Sequence, residues 1–128
     1  MVHHSRIQKI VIDVPSDVHD REVAFWGAAS GRRLERFDRF PEYSGSAIDD
    51  HGTWMLVQRI QDGAPRLHLD IHTDDLAAEV ARLQALGAEV VASPDVPWQV
   101  MRDPAGLPFC VIPNEPGKLH DGNSQRWE

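Results

Sequence analysis

The sequence predicts a single α+β domain in which a strand–helix–strands unit occurs twice. Each half begins with an apolar strand pattern, continues with a helix pattern and reaches a helix-terminating glycine, Gly31 or Gly87. The first strands correspond at an offset of 59 residues, from Lys9 to His68, whereas the two glycines are 56 residues apart. A duplicated unit with one three-residue insertion, around 15–20, gives this difference.

The first half follows the predicted order from strand to helix to further strands. Arg6–Val14 is rich in Ile and Val and stops at Pro15, as a strand would. Either Ser16 or Asp17 caps a helix that runs to about Ala29. Further strands are predicted at Arg32–Phe40, near Ala47 and at Thr53–Ile60.

The second half repeats this order with a clearer pattern. Arg66–Thr73 alternates, so Leu67, Leu69 and Ile71 share the face expected to enter the core, and the opposite face carries His68, Asp70 and His72. Asp74 or Asp75 caps a helix through Leu86. Strands at Ala88–Ala92, Trp98–Arg102 and Pro108–Ile112 follow, with a loop at 94–97.

These elements divide residues 1–128 into two modules of one domain. Module one covers about 6–60 and module two about 66–113, and residues 114–128 form a loosely attached polar tail. In each module the helix covers one face of a small sheet. The uncovered faces of two modules side by side curl into a cup with the helices outside, and clefts of this kind are preferred ligand sites.

Composition excludes several classes of function. The net charge of −7 leaves no basic footprint for nucleic acid and argues against an anionic membrane surface. No apolar run is long enough for a membrane span, and the start of the chain lacks an apolar signal core. Cys110 is the single cysteine, which is typical of the reducing cytoplasm. The paired His3 and His4 are assigned no role.

Several motifs carry a family resemblance over about residues 6–113. They are His68-Leu-Asp-Ile-His-Thr-Asp-Asp75, Leu83-Gln-Ala-Leu-Gly-Ala-Glu-Val90, Asp103-Pro-Ala-Gly106 with Phe109-Cys-Val111, Phe25-Trp26 before Gly31, and Val57-Gln58-Arg59. Together they resemble the vicinal-oxygen-chelate superfamily, the fold of glyoxalases, bleomycin-resistance proteins and extradiol dioxygenases. The resemblance implies two βαβββ modules that form a curved mixed sheet cup. Because one fold hosts many reactions, it leaves the chemistry open.

The resemblance also implies a place for a metal ion. Metal-dependent members hold it with two ligands per module, and the matching positions here are Lys9, Gln58, His68 and Cys110. Lys9 departs from the pattern because an ammonium repels a cation, and Cys110 departs because it replaces a carboxylate. We therefore expect no full family metal site. If a divalent metal is bound, His68 and Gln58 are its expected ligands, and Asp70 or His72 could add to them.

Each candidate residue has a functional and a structural interpretation. His68 is a proton shuttle, a ligand-binding group or a buried histidine tied to Asp70 or another cup residue. Asp70 is a general base, an orienting group or an ion-pair partner of Lys9. Lys9 could bind an anion. The other candidate ligand-binding residues are Gln58, His72, Cys110 and an aromatic wall of Trp54 and Trp98, which could equally be packing residues.

Two functions follow. The first is binding of a small molecule in the cup without the full family metal site. The alternative is a metal-dependent lyase, isomerase or dioxygenase-like enzyme that uses His68 and Asp70. The resemblance also implies a homodimer.

Overall fold

The structure is a computed structural model in which residues 2–92 and 96–128 are described, so Pro94 and Asp95 of the predicted loop lie outside it. The helices are α1 (Ser16–Ser30) and α2 (Leu76–Ala85). The strands are β1 (His3–Pro15), β2 (Glu35–Arg36), β3 (Tyr43–Ala47), β4 (Trp54–Ile60), β5 (Arg66–Thr73), β6 (Glu89–Val90), β7 (Gln99–Arg102), β8 (Pro108–Pro113) and β9 (Gln125–Trp127).

The chain divides into two compact units. The first unit is Lys9–His68, and the second unit combines the residues up to Gln8 with Leu69–Glu128. Each unit contains one helix and both parallel and antiparallel strand pairs. The predicted α+β class with two strand–helix–strands units is therefore confirmed.

In the first unit the strands follow the order β2-β3-β4-β1. β1 and β4 run parallel, and β3 is antiparallel to β4. Helix α1 covers one face of these strands, where its apolar side chains pack on a buried cluster of Ile12, Val14, Leu34, Met55 and Val57. Because side chains alternate along a strand, the intervening residues point to the opposite, helix-free face.

The second unit has the order β5-β8-β7-β6, with β5 and β8 parallel. Leu83 of helix α2 forms a buried cluster with Met101 and Val111, and the partly buried Ile71 and Phe109 pack against that cluster. As predicted, Asp75 caps α2, and its side chain accepts a hydrogen bond from Ala78 N at 3.0 Å. No helix in the described ranges 2–92 and 96–128 is long and apolar enough to span a membrane.

Three element predictions need correction. Helix α1 has no side-chain cap: Pro15 takes the cap position, and Ser16 is already helical. The predicted strands Arg32–Phe40 and Ala88–Ala92 shrink to the two-residue strands β2 and β6. Both lie at an end of their unit's strand order, where a strand has one neighbour and short, charged segments are common.

The alternation of β5 was predicted correctly, but the burial of its faces was not. Ile71 packs against the α2 cluster as expected, whereas Leu67 is 61% exposed and Leu69 is 42% exposed. On the polar face, Asp70 and His72 are buried. The polar side of this strand is therefore the better covered one.

Residues 114–128 are not a loosely attached tail. Strand β9 pairs antiparallel with the start of β1, and Leu119 is buried. Trp127 donates a hydrogen bond from its indole Nε1 to Ser5 Oγ at 2.9 Å, and its ring lies 3.8 Å from the Arg82 guanidinium carbon. The prediction failed because a three-residue strand carries no alternation of its own, and its partner lies at the other end of the chain.

His4 joins this segment to the second unit. Its Nε2 donates to Asp121 at 2.7 Å and its Nδ1 to Asp74 at 2.9 Å. Hydrogen bonds to Asp121 and Asp74 raise the pKa of His4 above its ordinary 6.5. The hydrogen bond from His4 lowers the pKa of Asp121, and for Asp74 burial raises the pKa but the bonds from His4 outweigh it.

We expect β9 to loosen as the pH rises. A raised histidine pKa gives stability that is present below 6.5 and lost as the pH passes its folded value, and the lowered carboxyl pKa values give stability that is lost in acid. Between about pH 6 and pH 9, hydrogen exchange of the Gln125–Trp127 amides, corrected for intrinsic rates, should therefore accelerate. The variant His4→Gln should remove this dependence; an unchanged exchange profile in the native chain would contradict it.

Candidate functional site

The helix-free face of the first unit carries three rows of side chains fixed by strand register. Lys9 pairs with Trp54, Val11 with Leu56, and Asp13 with Gln58. On the neighbouring strand, the residues opposite the β4 members of these rows are Ala47, Gly45 and Tyr43. The face therefore runs from a cationic and aromatic row, through an apolar row, to a polar row.

The aromatic residues of this face contact one another. The ring centroid of Phe37 lies 6.3 Å from that of Tyr43 and 6.1 Å from that of Trp54. All three side chains are partly buried. Gly45, whose row lies between those of Tyr43 and Trp54, leaves room for Leu56: a Cβ at Gly45 would lie 2.9 Å from Leu56 Cγ and 2.9 Å from Met55 O.

A buried carboxylate–imidazole pair lies at the polar row. His68 Nδ1 donates to Asp13 Oδ2 at 2.6 Å, and the Asp13 side chain is 4% exposed against 13% for His68. Arg66 Nε approaches the same oxygen at 3.9 Å. Asp13 Oδ1 is buried and accepts no hydrogen bond from the described residues. The bond from Nδ1 fixes the imidazole tautomer in which Nε2 carries the lone pair.

The second unit places other predicted residues on its own helix-free face. Asp70 is opposite Cys110 in the β5–β8 register, and His72 is opposite Ile112. These positions alternate with Ile71 and Val111, which face α2. His72 Nδ1 donates to the Asn114 side-chain oxygen at 2.7 Å.

A subset of these side chains has donor atoms suited to a metal ion. His68 precedes Asp70 by two positions on the same strand, and the two form with Cys110 a group able to offer an imidazole nitrogen, a carboxylate oxygen and a thiolate. Three ligands of this chemistry fit zinc, because thiolate selects softer ions over Mg²⁺ or Mn²⁺. His68 and Asp70 of this group belong to the expected ligands, and the role of Gln58 stays a prediction.

The structure thus brings the predicted residues together in two sets. The first unit joins Lys9 to Trp54 and places Gln58 beside the residue bonded to His68. The second unit joins Asp70 to Cys110. Trp98 is partly buried and directly precedes β7, and no aromatic contact joins it to another ring among the described residues. The meeting of both sets around one hollow stays a prediction.

Sequence reasoning assigned no role to Asp13 or Tyr43. One signal for Asp13 was present, since it lies four residues after Lys9 and therefore on the same strand face. Its bond to His68 spans 55 residues and depends on how two strands align. For Tyr43, the strand that carries it had been placed only near Ala47.

Comparisons with known proteins identify a family and several similar structures. Residues 9–112 match the sequence model of the family described as glyoxalase-like domain. No curated protein matches the chain. Among solved structures, 2,2',3-trihydroxybiphenyl 1,2-dioxygenase from Sphingomonas wittichii RW1 is similar over 88% of this chain, with 16% identity and a TM-score of 0.58. This chain spans 42% of that dioxygenase.

Two epimerase structures are similar over most of their own length. Methylmalonyl-CoA epimerase from Mycobacterium tuberculosis has 16% identity and a TM-score of 0.57, covering 86% of this chain and 88% of its own. A variant of the Streptomyces coelicolor methylmalonyl-CoA epimerase in complex with 2-nitronate-propionyl-CoA has 15% identity and a TM-score of 0.59, covering 85% and 96%. Such identities show the fold alone, while the family match covers most of the sequence. The chain therefore belongs to the glyoxalase-like domain family.

Proposed function

We propose that the chain binds a small organic molecule on the helix-free face of its first unit. The observation that carries this proposal is the buried Asp13–His68 pair, in the polar row of a face that also carries a partly buried aromatic cluster. A site with an aromatic surface and a few fixed polar groups is typical of small-molecule recognition. A flat ligand with a hydroxyl group suits it best.

Each part of this face has a distinct task in the proposal. The rings of Trp54, Phe37 and Tyr43 supply contact area for an aromatic or apolar ligand. His68 accepts a hydrogen bond or a proton from the ligand through Nε2, because Asp13 holds its Nδ1–H. Lys9, opposite Trp54, attracts a carboxylate or phenolate. Gln58, opposite Asp13, adds an amide that can donate or accept.

A functional role explains the buried Asp13–His68 pair better than a contribution to stability does. A carboxylate that is 4% exposed loses its hydration, and one of its oxygens has no hydrogen-bond partner among the described residues. An incompletely satisfied buried charge costs free energy. A pair kept at that cost, on a face with ligand-binding character, is best explained by what it does to the histidine.

The proposal can be tested by titration with 2,2',3-trihydroxybiphenyl, the compound in the name of one similar structure. In a two-dimensional 1H–15N NMR spectrum, the indole N–H signal of Trp54 should shift saturably. The indole signals of Trp26 and Trp127 are the internal controls. His68→Gln and Asp13→Asn should each weaken binding about tenfold, the effect of losing one charge-assisted hydrogen bond. His51→Gln, an exposed histidine in a turn, should leave the affinity unchanged.

Two outcomes would contradict the proposal. One is saturable binding that His68→Gln and Asp13→Asn leave intact. The other is a shift of the Trp26 or Trp127 indole with no response from Trp54. Both variants can be checked for folding by their thermal midpoints, and Asp13→Asn is expected to fold because the replaced carboxylate is incompletely satisfied.

The His68–Asp70–Cys110 group favours a second candidate, a metal-dependent lyase, isomerase or dioxygenase-like enzyme. A bound zinc ion would polarise a carbonyl or activate a water. In this chemistry His68, oriented by Asp13, would move the proton, and Asp70 would hold the ion or act as a second base. Metal analysis of purified protein and of Cys110→Ser separates the candidates, since stoichiometric metal lost in that variant favours the enzyme.

The proposal also covers the oligomeric state and the cellular location of the protein. The apolar side chains of Ile7 and Leu69 are exposed, and a homodimer could cover them; sedimentation velocity would detect such a dimer. The single free cysteine suits the cytoplasm.

A further inference from the structure

A groove of about 520 Å³ lies on the α1 side of the first unit, away from the face described above. Its lining residues come from α1, from the edge strands and from the connections between them: His19, Asp20, Val23, Ala24, Leu34, Arg36, Pro41, Ser44 and Arg59. The floor includes Leu34 of the buried cluster, and Val23 packs against that cluster. The groove therefore combines an apolar base with polar and charged walls.

Strand register fixes three polar residues on this side of the sheet. Arg36 pairs with Ser44 across β2 and β3, and Ser44 pairs with Val57 across β3 and β4. Val57 belongs to the cluster under α1, so this whole row faces the helix. Arg59 follows Val57 by two positions and shares its face. Arg36 on β2 and Arg59 on β4 are thus carried by the two strands that flank β3, the strand of Ser44.

The groove has two arginines and one carboxylate among its lining residues. Within the described ranges, neither Arg36 nor Arg59 forms an ion pair with a carboxylate. The Arg59 guanidinium donates to the carbonyl of Pro41 at 3.5 Å, a long and weak contact. Asp20 is the acidic lining residue, and its carboxylate receives the Nδ1–H of His19 at 3.1 Å. Two unpaired arginines in one groove stand out in a chain of net charge −7.

His19 supplies an independent observation. It is 5% exposed, yet its Nε2 is buried and makes no hydrogen bond to any described residue. A buried polar atom without a partner costs roughly 1–3 kcal/mol, so this nitrogen, on a residue that lines the groove, would gain free energy from a ligand that reaches it. With Nδ1 committed to Asp20, the neutral ring presents Nε2 as an acceptor, and the protonated ring presents it as a donor.

We propose that this groove binds an oxyanion, a phosphate monoester or carboxylate, carried by a small organic molecule. Arg36 and Arg59 hold the anion, since a guanidinium matches the geometry of both groups. His19 takes the P–OH or another hydroxyl of the ligand at Nε2, and Leu34 and Val23 contact the short apolar part. This site is separate from the helix-free face and does not depend on the function proposed above.

Calorimetric titrations at constant ionic strength with phenyl phosphate, benzoate and inorganic phosphate test the site and distinguish phosphate from carboxylate. Saturable binding of phenyl phosphate or benzoate is expected, weaker for inorganic phosphate because it lacks the apolar part. Arg36→Gln and Arg59→Gln should each weaken binding at least about tenfold, the effect of a lost charged hydrogen bond. Arg33→Gln removes an exposed arginine outside the groove and should change the affinity less than about twofold.

A blocking variant tests the location without altering charge. Ala24 is exposed on α1 and lines the groove, so Ala24→Leu should fill it while preserving helix propensity. Loss of binding in Ala24→Leu and retained binding in His68→Gln would support the site. It would be overturned by no saturable binding of any of the three probes, by equal loss in Arg33→Gln, or by full affinity in Ala24→Leu.

Discussion

Replacing Glu79 by alanine is expected to lower the free energy of unfolding by about 3–5 kcal/mol. The Glu79 side chain is 0% exposed, and its Oε1 receives hydrogen bonds from His3 Nε2 at 2.9 Å and Arg82 Nε at 2.8 Å. Arg82 Nη2 binds the other oxygen at 2.9 Å. Burial raises the pKa of this carboxyl, but the bonds from Arg82 and His3 outweigh burial and lower it.

The loss should be large because several contacts depend on this carboxylate. Without it, buried His3 loses its partner, and Arg82, which lies over the Trp127 ring, loses its bidentate anchor. Urea unfolding with an unchanged m-value would measure the effect. Glu89→Ala, an exposed glutamate of β6, is the matched control and should change stability by less than about 0.5 kcal/mol. A loss below about 1 kcal/mol in Glu79→Ala would show that the contacts of Glu79 with His3 and Arg82 are energetically neutral.

Truncating Leu56 to alanine is expected to cost about 2–5 kcal/mol. Leu56 is 2% exposed and lies in the middle row of the helix-free face, close against Gly45. Gly45 has no side chain that could turn into the space left by the truncation. The cavity left by the truncation should therefore persist, which adds to the lost transfer free energy.

The matched control for this truncation is Leu67→Ala. It is the same change on a strand of the same unit, at a side chain that is 61% exposed, and it should cost less than about 0.5 kcal/mol. Equal losses in the two variants would mean that Leu67 is covered in solution, as it would be in a dimer. A small loss in Leu56→Ala alone would contradict the packing described for this face.

The sequence predicted correctly the elements that have a clear local pattern of their own. The alternation of Arg66–Thr73 and the cap at Asp75 gave β5 and the start of α2. Alternation shows which residues share a face, but not which face is covered, and for this reason Leu67 was assigned to the core. Coverage depends on which other elements pack over the strand, and the sequence of the strand does not specify them.

For the candidate site, the sequence indicated which residues to consider better than it indicated which residues they contact. For His68, Asp70 or another cup residue is the expected partner, and within the first unit that partner is Asp13. That bond joins two strands whose alignment is set by the whole sheet. Likewise, the groove at Arg36 and Arg59 arises from register across three strands, which the sequence of any one of them does not specify.

The pairing of β9 with the start of β1 has a consequence for the order in which the chain folds. Trp127 and Ser5 are 122 positions apart, so this ladder closes a very long loop. Synthesis proceeds from the amino end, so the start of β1 is made well before β9, and its outer backbone groups stay open until β9 is available. Such distant contacts slow folding. The second unit should consequently reach its native form only after the Gln125–Trp127 segment has left the ribosome.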